Sequence, residues 1–212
     1  MVSSSAADLS LVAGVLALDF ANTASGRGTS AHREHLHTVA DVIAWGAHAG
    51  CLGRTAMERL PAGAVGSADA PSDTEALRGA IQLREAIFGL GTAIAGGRDP
   101  APENLDVVRQ ATRDALAAGR LQRGEDGGYV LDFADAAPVA AVAGAVALSA
   151  LDMLRTADFA RIKQCPGRAP DNDCQWLFLD TSKNNARRWC DMATCGNRMK
   201  SRRHRARRQG EP

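Results

Sequence analysis

Aromatic side chains are scarce in this chain of 212 residues, which has five Phe, three Trp and one Tyr. Apolar content of 45% is ample for a core, but Ala, Leu and Val must fill it. No stretch approaches the roughly 18 consecutive apolar residues that a bilayer span needs, so no membrane partner is expected. There is no phosphate-binding Gly-rich loop, no nucleophile elbow and no HExxH, and no other acid/base or nucleophile constellation points to an enzyme. Cysteine is also sparse. Five cysteines in a chain of this length do not resemble a secreted disulfide framework, which is shorter, denser and preceded by a signal peptide. The apolar run Leu9 to Leu18 follows no Lys or Arg, is flanked by Asp8 and Asp19, and precedes no small-residue cleavage site. It therefore reads as a buried segment rather than a signal peptide. A cytoplasmic protein is expected, whose reduced thiols are free to hold metal.

Net charge is almost balanced, at +1, but it is divided unevenly. Residues 1–160 hold 12 Lys/Arg against 19 Asp/Glu, whereas residues 161–212 hold 13 against 5. An acidic part joined to a basic end points to nucleic-acid binding at that end and another role for the rest. Two domains are expected, 1–160 and 161–212.

Periodicity makes the first of these helix-rich α+β. Residues 9–23 read as one or two short buried strands, or a strand and a turn. Residues 24–31 form a loop, and a helix is predicted from about Thr38 to His48. The clearest helix runs from Ser72 to Ile94, where Ala80, Leu83, Ile87, Leu90 and Ile94 recur at alternating steps of three and four. A second is predicted from Pro102 to Ala118, ending at Gly119, then a hairpin over 120–133, then a buried Ala-rich helix from Pro138 to Leu154. Strands and helices do not alternate as βαβ units would.

Four cysteines fall close together near the C-terminus, spaced Cys165-x8-Cys174-x15-Cys190-x4-Cys195. Four soft ligands on one short segment suit a closed tetrahedral Zn²⁺ site, which is structural because no position remains for substrate. Gln175–Asp180 reads as a strand, Thr181–Asn185 as a turn and Arg187–Cys190 as the returning strand, with a helix opening at Cys195. That order is a treble-clef arrangement. Cys51, at a helix end, reads as an inert core thiol. His32, His35 and His37 read as a surface cluster rather than a second metal site.

The run WLFLDTSKNNARRWCDMATCGNR resembles the CGNR zinc-finger family. The match lies in Asp180, Ser182, Asn185, Arg187, Arg188, Trp189 and Cys190, followed by Cys195, Gly196, Asn197 and Arg198. A weaker resemblance, carried by Leu18-Asp19-Phe20, Asn22-Thr23 and Leu83-Arg84-Glu85, is to the ABATE domain of stress-induced transcription regulators. The resemblance implies a DNA-binding regulator. A small molecule or protein would be the effector of the N-terminal domain, and nucleoid association would follow.

Beyond the cysteines, Arg198, Arg202 and Arg205 would flank one side of a helix stripe, and Lys200, Arg203 and Arg207 the other. So many cations on one helix call for phosphate. Arg187 and Arg188 either join that surface or, with Arg198, offset the net −2 of a zinc tetrathiolate. Asp180 and Asn185 read as turn-fixing residues, and Asp19, Asn22 and Arg84 as turn or ion-pair residues. A structured-RNA binder is the alternative reading; an enzyme sited in residues 1–160 ranks below it.

Overall fold

The computed structural model of the chain describes residues 5–52, 71–124, 127–167, 173–197 and 199–201. In it the apolar run near the N-terminus forms no strand: residues 9–15 are irregular, and the chain turns helical only from Leu16. After a 3-10 turn at Ala6–Asp8 comes helix α1 (Leu16–Ala21). Gly14, at φ +76°, turns the chain, and the Asp19 carboxylate accepts the Ala13 amide at 2.9 Å. A short continuous apolar run carries no period that separates strand from buried helix, so packing decides. Burial raises the Asp19 carboxyl to about 6, against the pull of the Ala13 and Val12 amides.

Strands β1 (Ala24–Ser25) and β2 (Arg33–Glu34) close the loop that follows. Helix α2 (Val39–His48) starts on a capping box. The Thr38 hydroxyl accepts the Asp41 amide, and the Asp41 carboxylate accepts the Thr38 amide, so two otherwise orphaned N–H groups are paired. Helix α3 (Pro71–Ala95) has 25 residues and spans about 37 Å. All five residues of its apolar repeat are buried. Helices α4 (Pro102–Ala118) and α5 (Pro138–Thr156) each begin with proline, where a missing N–H leaves no bond unmade. Strands β3 (Arg120–Arg123) and β4 (Tyr129–Asp132) form the antiparallel hairpin between them. The predicted starts of α4 and α5 and the end of α4 at Gly119 are met.

These helices pack closely because small residues line their crossings. A Cβ on Gly46 would stand 2.3 Å from Val142 Cγ2, so glycine is what lets α2 press onto α5. Phe20 and Trp45 meet beneath them with ring centroids 4.9 Å apart. By length and composition α5 could cross a membrane, which the search for uninterrupted apolar runs does not anticipate. Here it is a core helix, with Val142, Val146, Ala147 and Ala150 fully buried.

One partly buried ion cluster, centred on buried Arg84, ties the loop to α3. Arg84 grips Glu34 with both terminal nitrogens at 2.5 and 2.7 Å and reaches Glu85 at 2.8 Å. Arg27 bonds Glu85 and lies over the Phe88 ring. Burial alone would raise both carboxyls, but the guanidiniums hold Glu34 and Glu85 below the usual range.

The cysteine-bearing segment enters through strand β5 (Ile162–Gln164), which pairs antiparallel with β6 (Leu177–Leu179). This ribbon lies on α3, where a Cβ on Gly91 would stand 2.5 Å from Leu177 Cδ1. Asn22 acts as a surrogate strand residue. Its side chain donates to the Leu177 carbonyl at 2.9 Å and accepts the Leu177 amide at 2.8 Å. Leu179 N–H also donates to Ala13 O at 2.8 Å. Leu177, Phe178 and the cysteines Cys165, Cys190 and Cys195 therefore belong to the same hydrophobic core as the helices. Among the described residues, three two-stranded ribbons beside five helices make the fold helix-rich α+β.

Asn22→Ala would leave both main-chain groups of buried Leu177 unpaired. The expected loss is about 3 kcal/mol, read by denaturant unfolding of the zinc-saturated protein with the slope unchanged.

Candidate metal centre

Cys165 leaves β5 with its amide bonded to the Trp176 carbonyl at 2.8 Å, which keeps the ribbon closed up to the first ligand. The chain then reverses: Gly167 lies at φ +60° and Gln175, beside Cys174, at +61°. A left-handed glutamine is strained and is held by three bonds. Its side chain donates to Arg27 O, its carbonyl accepts from Gln164, and Gly26 N–H binds the adjoining Cys174 carbonyl.

The second pair is set by a helix start. Asp191 caps the turn Met192–Gly196 by accepting the amides of Ala193 and Thr194 at 3.0 and 3.1 Å. The turn is wound as a π-helix, with Gly196 N–H donating to Asp191 O. This wider turn carries Cys195 Sγ back to 3.7 Å from Cys190 Sγ.

All four sulfurs lie within 4.8 Å of one another, with Cys174 and Cys190 at 3.5 Å. A tetrahedron of Zn–S bonds of about 2.3 Å has edges of about 3.8 Å, so the set fits one Zn²⁺. Cys165, Cys190 and Cys195 are buried and Cys174 is half-buried. The shell is complete with four thiolates, and the site is structural. Hydrogen bonds from the other three draw the Cys165 thiol well down, while Cys174 and Cys190, bonded to Cys165, are pushed up. Only a cation allows four thiolates to coexist at this spacing.

Between the two pairs the structure departs from the sequence reading. Among the described residues, no strand forms over 187–190. Strand β6 takes β5 as its partner, and the returning segment is organised by Asp180. This carboxylate is fully buried and accepts Lys163 Nζ at 2.6 Å, Arg187 N–H at 2.8 Å and Ser182 N–H at 2.9 Å. Burial would raise its pKa, but Lys163 and Ser182 hold it well below the ordinary carboxylate range. Lys163 also donates to the carbonyls of Asn185 and Arg187. Asn185 sits at φ +49° and bonds Ala160 O. Asp180, Ser182 and Asn185 are thus the pins of one folded loop.

Arg187 is turned into the fold. Its guanidinium donates to the carbonyls of Val12, Trp189 and Cys190 and covers the Phe178 ring at 4.4 Å, joining a metal ligand's backbone to the N-terminal segment. Arg188 and Lys200 are exposed. Arg198, Arg202, Arg203, Arg205 and Arg207 lie outside the described residues. Cys51 stands apart from the cluster, donates to Gly46 O at 3.3 Å and is raised to about 11 by burial. His32 and His37 are exposed.

Sequence reading passed over Lys163, Asp191 and Gln175. Asp191 could have been found, because an Asp three residues before Thr194 and next to a ligand has the pattern of a helix cap. The roles of Lys163 and Gln175 depend on which strand pairs with which.

Cys190→Ser should lower bound zinc from one per chain to near none, read with a chromogenic chelator. For the wild type, zinc is lost as pH falls, because protons compete for the thiolates. Asp180→Asn keeps every ligand yet should weaken zinc about 10- to 100-fold. Asp180 is depressed in the folded state, so its contribution is present above about pH 4 and fades below it. The stability gap between wild type and this variant should close in acid-unfolding curves over that range.

Comparison with known families agrees with this geometry. The CGNR zinc-finger model matches residues 161–208. The ABATE model, described as "putative stress-induced transcription regulator", matches residues 14–157, more than half of the chain. A search of curated proteins gives no match. The chain belongs to the ABATE family and ends in a CGNR zinc finger.

Proposed function

We propose that this protein is a zinc-dependent transcription regulator that binds DNA through its basic C-terminal segment. In this reading residues 161–212 are the DNA-binding finger and residues 1–160 respond to a small molecule or protein partner in the cytoplasm, at the nucleoid. The observation that carries it is the conjunction of a closed Cys₄ centre with the charge excess of residues 161–212.

A complete thiolate shell offers no site for Lewis-acid chemistry, so the zinc contributes by ordering chain. What it orders is the turn Met192–Gly196, from which the basic segment continues. Lys200, Arg202, Arg203, Arg205, Arg207 and Arg198 supply cations along that segment, with Arg188 beside it. They serve as phosphate contacts, since a segment this charged gains nothing from burial. Arg187, which the sequence also offers to that surface, uses its guanidinium inside the fold, and its contribution to the interface is positional. Effector binding in the N-terminal region would reach the finger through Asn22–Leu177 and Arg187–Val12, which already join the two. A structured-RNA target is the second reading, favoured by nothing more specific than the same charge.

Binding of zinc-loaded protein to genomic duplex fragments should weaken with salt at a log–log slope of about −5 if six phosphates are neutralised. The Arg202/Arg203/Arg205→Ala triple variant should bind more weakly and flatten that slope by about 3. A clear preference for rRNA over duplex DNA at fixed salt would overturn the DNA reading.

A further inference from the structure

The hairpin β3–β4 stands out from the rest of the surface. Leu121 is 72% exposed, Tyr129 74% and Val130 51%, whereas apolar strand residues are usually covered. Nothing in the zinc centre or its basic extension uses them. The hairpin is a sheet of only two strands, and among the described residues no other strand pairs with either outer edge.

The two edges differ in what they invite. Strand β3 reads Arg-Leu-Gln-Arg, and a second copy laid against it would crowd four guanidiniums. Charged edge residues of this kind keep strands apart. Strand β4 reads Tyr-Val-Leu-Asp, with no basic residue, and its one acid already accepts Gln122 Nε2 at 2.7 Å. Gly124 N–H donates to Gly128 O at 2.7 Å, and the register continues through Gln122↔Val130 and Arg120↔Asp132. Bonded pairs alternate along an antiparallel ladder. Val130 and Asp132 therefore face β3, while the main-chain groups of Tyr129 and Leu131 point outward.

We infer that β4 is a self-association edge: two copies of this chain pair antiparallel through it, about a two-fold axis at Val130. In that register Tyr129 and Leu131 of each copy exchange both main-chain bonds, and Val130 meets its symmetry mate on the opposite face. Every cross-strand pair is apolar. One face of the resulting four-stranded sheet carries Leu121, Leu131 and the partner's Tyr129 in a continuous row. A register centred on Leu131 would pair Val130 with Asp132, one centred on Tyr129 would set it against Gly128, and pairing through β3 would place arginines together. Four residues per edge and three exposed side chains fall short of the roughly 800 Å² per partner of a lasting dimer, so the association is reversible. A two-fold dimer also presents two fingers, which suits inverted half-sites in DNA.

Light scattering on the full zinc-loaded chain should show a monomer–dimer transition with its midpoint at about 1–100 μM. Val130→Lys puts two ammonium groups across the axis and should raise that midpoint at least tenfold, with one zinc per chain and an unchanged far-UV spectrum. Leu116→Lys, at an equally exposed leucine on α4, should leave the midpoint where it is. Val130→Cys places two thiols at a position where paired Cα atoms are about 4.5 Å apart, within disulfide reach. Oxidised glutathione should link that variant into dimers and leave Asp132→Cys unlinked. A wild type monomeric throughout the range, a dimer broken by Leu116→Lys rather than Val130→Lys, or equal cross-linking of both cysteine variants would overturn the proposal.

Discussion

Four sulfur atoms within 4.8 Å of one another make a centre that cannot exist as four thiolates without a cation. That constraint organises the chain around Cys165, Cys174, Cys190 and Cys195. It explains why a left-handed glutamine is tolerated beside Cys174, why Asp191 caps a π-wound turn, and why three of the four ligands are buried. Each feature carries a local cost of strain or desolvation, and the metal–sulfur bonds offset these costs together.

The zinc centre is not an appendage. Asn22, Ala13, Gly26, Arg27 and Val12 all bond to the segment that holds it, and Leu177 packs where Gly91 leaves α3 bare. Removing the ion would disturb a surface that the helices also need. The two family matches, 14–157 and 161–208, therefore meet in one core. For a regulator this is a useful constraint, because a change at either end has a short covalent and hydrogen-bonded route to the other.

Buried polar residues do much of the specifying. Arg84 with Glu34 and Glu85, Asp180 with Lys163, and Asn22 with Leu177 each place a polar group in the interior only where its partners are fully supplied. A misplaced strand register would leave such groups unpaired, at a cost of about 1–3 kcal/mol each. They select one arrangement from a core otherwise rich in interchangeable Ala, Leu and Val.

Where periodicity was long, sequence alone determined the element. Ala80, Leu83, Ile87, Leu90 and Ile94 define α3 because five apolar positions at 3.6-residue spacing can share only one face. Pro102, Gly119 and Pro138 mark helix ends through their backbone chemistry. The four ligands were legible from thiol chemistry, and the division of charge from composition. Tertiary structure alone decided that Leu16–Ala21 is helical, that β6 pairs with β5 rather than with residues 187–190, and that Arg187 points inward. Those choices depend on which distant partner is offered first: Asn22 for Leu177, Lys163 for Asp180, Phe178 for Arg187. Short apolar or polar segments contain no period that encodes such partners, so contact across the fold settles what local sequence leaves open.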